Sequence, residues 1–166
     1  MSYDLWSRVD PAEAGIVERF TSEHPVKVGE LAKALGIDVF RSPLPPAISG
    51  MIRPGQPGAA PYEIRVNKYE VPERQRFTLA HEVAHFLLHK ADIQSGVVDS
   101  VMYRSALTSR KEAEANRLAA DIVMPMQAVR KELAALGGVA SEEAAKELAV
   151  RFKVSLPAMR VRLGLA

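Results

Sequence analysis

Three histidines recur at four-residue spacing in the stretch HEVAHFLLH, which runs from His81 to His89. Residues four apart share one face of a helix, so the imidazoles of His81 and His85 can converge on one metal ion. Glu82 follows the first of these histidines and can reach a water molecule on that ion. Zinc lowers the pKa of such a water to about 7, and a neighbouring carboxylate can take its proton as it attacks a carbonyl. The pattern therefore predicts a zinc site with Glu82 as the catalytic base.

A buried helix that carries imidazoles without any metal is the alternative. Histidines with ordinary polar partners are commoner in protein cores than metal ligands, and a bare motif of this kind also arises by chance. However, two imidazoles on one buried helix face would each need a polar partner. A shared metal ion satisfies both of them, and for this reason we favour the metal site.

His89 does not fit the same ion. It lies two helical turns beyond His81, about 12 Å along the axis at about 1.5 Å per residue. Metallopeptidases that use a third histidine break the helix with a glycine first, whereas the next glycine here is Gly96. We expect His89 to be a helix-end residue, which the negative end of the helix dipole favours.

A hydrolytic zinc site needs a third protein ligand besides an open position for water. The chain has no cysteine and only one other histidine, His24, so carboxylates remain. Glu112 is followed one turn later by Asn116, a short polar residue that could support a ligand. Ser109 and Glu112 also fit a capping box, and Glu114, about 160° around the helix, is a second candidate ligand. The residues alone leave these possibilities open and favour Glu112 modestly over Glu114.

Composition restricts the class of protein. The 166 residues are 48% hydrophobic, and 22 Lys+Arg against 20 Asp+Glu give a formal charge of +2. This suffices for one domain with a real core, and the charge balance favours neither a strong polyanion binder nor a membrane-surface protein. Because there is neither an apolar leader nor a run of about 18 to 20 apolar residues, we expect a cytoplasmic protein without a membrane partner. The lack of cysteine excludes disulfides and thiolate metal sites.

The predicted elements run from helices through a small sheet to further helices. Asp10-Pro11-Ala12-Glu13 has the residues of a helix start. Two strands, Gly50–Arg53 and Tyr62–Asn67, are separated by turn residues and are predicted to form a hairpin, and residues 91–108 are predicted to be a loop. This order predicts an α+β fold. The other predicted helices cover residues 29–35, 72–90, 109–124, 126–136, 142–152 and 156–163.

The C-terminal stretch is predicted to form two short helices joined at Val154-Ser155, as in a helix-turn-helix. Arg160 and Arg162 could reach DNA from the second helix. A structural or substrate-docking role is favoured, because most of the other residues of that helix suit packing: Leu156, Met159, Val161 and Leu163. We therefore divide the chain into a zinc metallopeptidase domain, residues 1–136, and a helical appendage, residues 137–166.

A longer signature surrounds the histidines. Arg76-Phe77-Thr78-Leu79-Ala80 leads into His81–His89, Glu112–Ala120 follows, and the signature ends at Met124-Pro125. With this combination the sequence resembles the ImmA/IrrE family of zinc metallopeptidases, regulatory proteases of bacteria and their mobile elements. The resemblance covers about residues 25–165.

The resemblance implies a zincin-like fold, in which a small, mostly antiparallel sheet carries an active-site helix and a glutamate helix. It also implies one zinc ion held by His81, His85 and Glu112, with Glu82 as the catalytic carboxylate; manganese or iron could occupy such a site. An edge strand of the sheet could bind an extended substrate by strand addition. Residues 62–67 are our candidate for part of that sheet.

The same resemblance implies a partner, a helix-turn-helix repressor of the XRE type that is often encoded beside the peptidase. The leading hypothesis is a zinc-dependent endopeptidase that cleaves this repressor, with Glu82 as general base and then acid. The alternative is a non-proteolytic anti-repressor or a DNA-binding regulator with a structural zinc, which has no need of Glu82. Tyr103 or Arg104, between the two ligand helices, could stabilise the oxyanion.

Overall fold

Three strands form a small mixed sheet in the computed structural model, which describes residues 3–94 and 109–165. The strands are β1 (Ile37–Ser42), β2 (Gly50–Pro54) and β3 (Tyr62–Asn67). β3 is central, parallel to β1 and antiparallel to β2. The predicted β2–β3 hairpin is therefore confirmed. The expectation of a mostly antiparallel sheet is wrong, because β1 is a further, parallel strand that the sequence pattern did not indicate.

Helices cover the sheet and complete the α+β fold. Two of the helices differ from the prediction: the helix at Tyr3–Trp6 was not predicted, and the helix at Lys90–Gln94 lies where a loop was expected. Asp10 Oδ1 caps α2 by accepting hydrogen bonds from the backbone N–H groups of Ala12 and Glu13. The helices are α1 (Tyr3–Trp6), α2 (Pro11–Thr21), α3 (Val28–Ala34), α4 (Pro72–Leu88), α5 (Lys90–Gln94), α6 (Ser109–Val123), α7 (Met126–Ala135), α8 (Glu142–Phe152) and α9 (Leu156–Arg162).

α4 is the central helix of the core. It packs against α6, β2 and β3, and its residues 78–87 are all buried. Ala80 and Ala84 on α4, and Ala115 and Ala119 on α6, are fully buried, and such small side chains allow two helices to approach closely. This packing places the polar residues of the two helices opposite each other inside the protein.

The two C-terminal helices, α8 and α9, belong to the same apolar cluster as the rest of the core. Leu148, Phe152 and Met159 are fully buried within it. Lys153, in the left-handed conformation with φ of 54°, ends α8, and the Ser155 hydroxyl caps α9 by accepting a hydrogen bond from the Ala158 N–H. The predicted helix–turn–helix connection is thus present. The division at residue 136 stays a prediction.

The arginines of α9 contact other parts of the protein. Arg162 donates hydrogen bonds of 2.9 Å to Asp121 Oδ1 and to the Met124 carbonyl oxygen, and its side chain is only 12% exposed. Arg160 donates to Glu142 Oε1 at 3.0 Å. These contacts tie α9 to α6 and α8. Among the described residues, no helix has the length and apolar character needed to cross a membrane.

Leu148→Ala is expected to lower the free energy of unfolding by about 2–5 kcal/mol, because it removes a fully buried side chain from the shared core. Urea denaturation followed by circular dichroism would measure the change. Val150→Ala on the same helix is the control, since Val150 is 78% exposed and its truncation should change stability by less than about 0.5 kcal/mol. Equal stability of the two variants would show that α8 does not belong to the cooperative core.

Candidate metal centre

Three potential ligand atoms converge where α4 faces α6. His81 Nε2 lies 3.1 Å from His85 Nε2 and 3.3 Å from Glu112 Oε2, and His85 Nε2 lies 3.1 Å from Glu112 Oε1. Both histidines are buried, whereas the Glu112 side chain is 26% exposed. Of the two glutamates that the sequence left open, the structure therefore places Glu112 with the histidines, as a group that could hold a metal ion.

The opposite nitrogen of each imidazole already has a partner. His81 Nδ1 lies 2.8 Å from Asn116 Oδ1, and His85 Nδ1 lies 2.9 Å from His89 Nδ1. A carbonyl oxygen can only accept a hydrogen bond, so His81 carries its proton on Nδ1 and presents a lone pair at Nε2. The role expected for Asn116, support of the site, agrees with this contact.

The convergence of these atoms suits a cation. Two imidazole lone pairs and a carboxylate within hydrogen-bond distance repel one another unless a positive charge lies between them. Zinc bonds of about 2.0–2.1 Å in tetrahedral geometry place neighbouring ligand atoms about 3.3 Å apart. The observed separations of 3.1 and 3.3 Å are close to that edge, with the two histidines facing different oxygens of Glu112. The residues present therefore fit a zinc ion with three protein ligands and one open position.

His89 has a role beyond that of a helix-end residue. It is the C-terminal cap of α4, as expected, and it is also 96% buried. Its Nε2 lies 3.0 Å from Glu114 Oε1, while Arg8 donates to Glu114 Oε2 at 2.7 Å. When His85 carries its proton on Nδ1 and His89 carries its proton on Nε2, His85 donates a hydrogen bond to His89 Nδ1. His89 in turn donates a hydrogen bond to Glu114 Oε1. Glu114 is therefore the end of a chain that orients His85.

The pKa values of the group follow from burial and these contacts. Burial lowers the pKa of His85, which keeps its imidazole neutral, the form that binds a metal. Burial acts to raise the pKa of Glu112, but the close contacts of its carboxylate with the His81 and His85 imidazoles outweigh it and hold that pKa well below its usual range. The hydrogen bond from Arg8 is the largest cause that lowers the pKa of Glu114 to about 2. Both carboxylates are thus ionised at neutral pH.

Glu82, predicted as the catalytic base, is 1% exposed and lies on α4 between the two histidine positions. The two candidates for oxyanion stabilisation, Tyr103 and Arg104, lie outside the described residues. No pattern in the sequence indicates Arg8, which is 106 positions from its partner Glu114.

A cleft of about 1410 Å³ opens beside the group and is lined by His81, Glu112 and Asn116. One side comes from the first turns of α4, including Arg76 and Phe77. The other side comes from the junction of α8 and α9 in the C-terminal segment. The lining residues of that side are Lys146, Ala149, Val150, Lys153, Val154, Ser155, Leu156, Pro157 and Ala158.

Asn116→Ala is expected to weaken zinc binding by about 10- to 100-fold, because the His81 ring loses the acceptor that fixes its proton and orientation. Competition with a chromogenic chelator of known affinity would measure this change. Asn116→Asp retains an acceptor oxygen and is the matched control, with zinc affinity close to that of the wild type. Unchanged affinity in the alanine variant would contradict the supporting role.

Comparisons with known proteins give one match in fold and one in family. A solved structure described as a Mycobacterium tuberculosis transcriptional regulator has the same fold, with a TM-score of 0.54 and 19% sequence identity. The alignment covers 96% of this chain and 48% of that one, so this chain spans about half of that protein's length. No curated protein sequence matches. The M78 peptidase family, described as the IrrE N-terminal-like domain, matches residues 32–164, and the chain therefore belongs to this family.

Proposed function

We propose that this protein is a zinc-dependent endopeptidase that cleaves a specific helix-turn-helix transcriptional repressor and so relieves repression. The observation that carries the proposal is the convergence of His81, His85 and Glu112, with their lone pairs directed at one another, beside an open cleft. Membership of a peptidase family supports the same reaction class. The substrate would be a cytoplasmic protein.

Each residue of the group has a separate task in this proposal. His81, His85 and Glu112 would hold zinc, which when bound supplies a Lewis acid for the scissile carbonyl and lowers the pKa of a water molecule. The Glu82 carboxylate takes the proton of the attacking water and returns it to the nitrogen of the leaving amine. Asn116 and His89 hold the two imidazoles in the orientation that these steps require.

The sheet offers two edges for an extended substrate. Residues 62–67, predicted to be part of the sheet, form its central strand, with β1 and β2 hydrogen-bonded on either side, so this strand cannot accept another. β2 is an edge strand that begins at Gly50, and a Cβ added to Gly50 would lie 2.6 Å from Thr78 Cγ2 in the cleft wall. A peptide added to the β2 edge would therefore run close to the cleft.

The C-terminal helices favour docking of a protein over binding of DNA. The junction of α8 and α9 lines the cleft, and the two arginines of α9 are engaged with Asp121, Met124 and Glu142. A recognition helix needs its basic side chains free to reach a major groove. The regulatory substrate is further supported by the fold that the chain shares with a transcriptional regulator.

The test is a gel assay of the zinc-loaded protein with the repressor encoded nearest to its gene. We expect discrete fragments, whose new ends define the cleaved bond, and no fragments after removal of zinc by a chelator. A repressor that stays whole but releases its DNA would replace the proposal with the non-proteolytic alternative. A repressor that neither breaks nor releases its DNA is not the substrate.

A further inference from the structure

Arg76 is a half-buried cation, and two of its guanidinium nitrogens have no partner among the described residues. It lies on α4 in the wall of the cleft, five residues before His81. Its Nε and Nη2 atoms are buried and donate no hydrogen bond to any of residues 3–94 and 109–165. Burial lowers its pKa.

The neighbouring arginines differ from it in this respect. Arg74, on the same helix, donates to Glu70 Oε2 at 3.1 Å, and Arg53 and Arg65 donate to Glu63 Oε2 at 3.2 and 2.8 Å. A guanidinium removed from water without a hydrogen-bond acceptor destabilises the folded protein. Such a group is expected to gain its partner from a ligand, and a planar carboxylate matches its two parallel N–H donors.

We infer that Arg76 binds a carboxylate of the substrate chain and so determines which bond is placed at the metal group. The inference rests on the proposed function, because it assigns the cleft to a peptide. The charges of the cleft support it, because basic side chains outnumber acidic ones among the described lining residues. The four basic residues are Arg74, Arg76, Lys146 and Lys153, and the two acidic ones are Glu73 and Glu112. Glu112 is moreover committed to the metal group.

The spacing along α4 limits where this carboxylate can lie. Five residues of helix place Arg76 about 7.5 Å along the axis from His81, at about 1.5 Å per residue. An extended peptide advances about 3.3 Å per residue. The carboxylate bound to Arg76 therefore belongs to a residue within about three positions of the cleaved bond. Its source is either an Asp or Glu side chain or the C-terminal carboxylate of the substrate.

The test measures binding, so that it does not depend on turnover. The protein is the zinc-loaded Glu82→Gln variant, and the probes are three short acetylated peptides of one sequence: one with a central Glu and an amidated end, one with Gln in its place, and the Gln peptide with a free carboxyl end. Binding is followed by the NMR signal of the Arg76 Nε–H group, assigned from its loss in Arg76→Lys. We expect a carboxylate-bearing peptide to shift this signal and to bind about tenfold or more tightly than the neutral one.

Two further variants identify the source of the preference. Arg76→Gln should abolish it, whereas Arg74→Gln, the same change at a paired arginine of the same cleft, should retain it. A preference for the Glu peptide identifies a side-chain carboxylate, and a preference for the free-ended peptide identifies the chain end. A preference that survives in Arg76→Gln would come from the zinc ion and overturn the inference.

Equal affinity for all three peptides, including the absence of detectable binding, also overturns it. This result is separable from the proposed function, which the gel assay measures independently with the wild-type protein. If the protein prefers carboxylate peptides but does not cleave the repressor, the proposed peptidase function is wrong and the Arg76 site stands. If the protein cleaves the repressor but has no preference for carboxylate peptides, the peptidase function stands and the Arg76 site is wrong.

Discussion

Glu82→Gln is expected to lower kcat/KM for repressor cleavage by about 100- to 10,000-fold, the usual contribution of a positioned general base. The amide has the shape of the carboxylate but cannot take a proton from water. Zinc affinity should stay within about threefold of the wild type, because the ligand group consists of His81, His85 and Glu112. Cleavage is measured by densitometry of the fragments, and zinc affinity by chelator competition.

The control for this variant is Glu73→Gln, the same change on the same helix at an exposed position of the cleft wall. It should cleave at nearly the wild-type rate. Undiminished cleavage by Glu82→Gln would exclude Glu82 as the base. Loss of zinc together with cleavage would instead assign Glu82 a part in holding the metal, since it is buried and directly follows His81 on α4.

The parts of the site that were predictable depend on local spacing. His81 and His85 meet because they are one turn apart on one helix, and Glu112 and Asn116 meet them for the same reason on another. The β2–β3 hairpin is likewise a short-range feature, set by turn residues between two strands. The choice of Glu112 over Glu114 needed the orientation of one helix relative to the other, which the residues alone did not contain.

The parts that were missed depend on distant contacts. His89 lies at a helix end, as its position indicates, but its partner Glu114 comes from another helix and Arg8 from near the N-terminus. β1 pairs with β3 in parallel, so its register, Ile37 beside Tyr62, joins segments that no turn connects. Tertiary packing determines such contacts, and neither periodicity nor capping residues record them.

The two glutamates of α6 give the second large effect, because they lie two residues apart and contact different groups. Glu112→Gln is expected to weaken zinc binding by more than about 100-fold, because the oxygens that face His81 and His85 lose their charge. This loss exceeds the one typical of a residue that only hydrogen-bonds to a metal ligand. Glu114→Gln removes only the charge at the end of the His89 chain, so zinc affinity should fall by about tenfold.

Thermal and urea unfolding with and without zinc separate the two roles further. A ligand that binds only the folded protein stabilises it by about 4 kcal/mol at a free concentration 1,000 times its dissociation constant. A 100-fold weaker affinity at the same concentration reduces this gain by about 2.7 kcal/mol. Glu112→Gln should therefore lose most of the gain and keep most of its zinc-free stability, because its side chain is 26% exposed.

Glu114→Gln should show the opposite pattern. Its side chain is 6% exposed and bonded to Arg8 and His89, so the neutral amide weakens two buried contacts and lowers the zinc-free stability. The gain on adding zinc should remain larger than in Glu112→Gln, since all three ligand atoms are still present. If the two variants instead exchanged these patterns, Glu114 would be the ligand, and the separations of 3.1 and 3.3 Å around Glu112 would reflect ion pairing with protonated histidines.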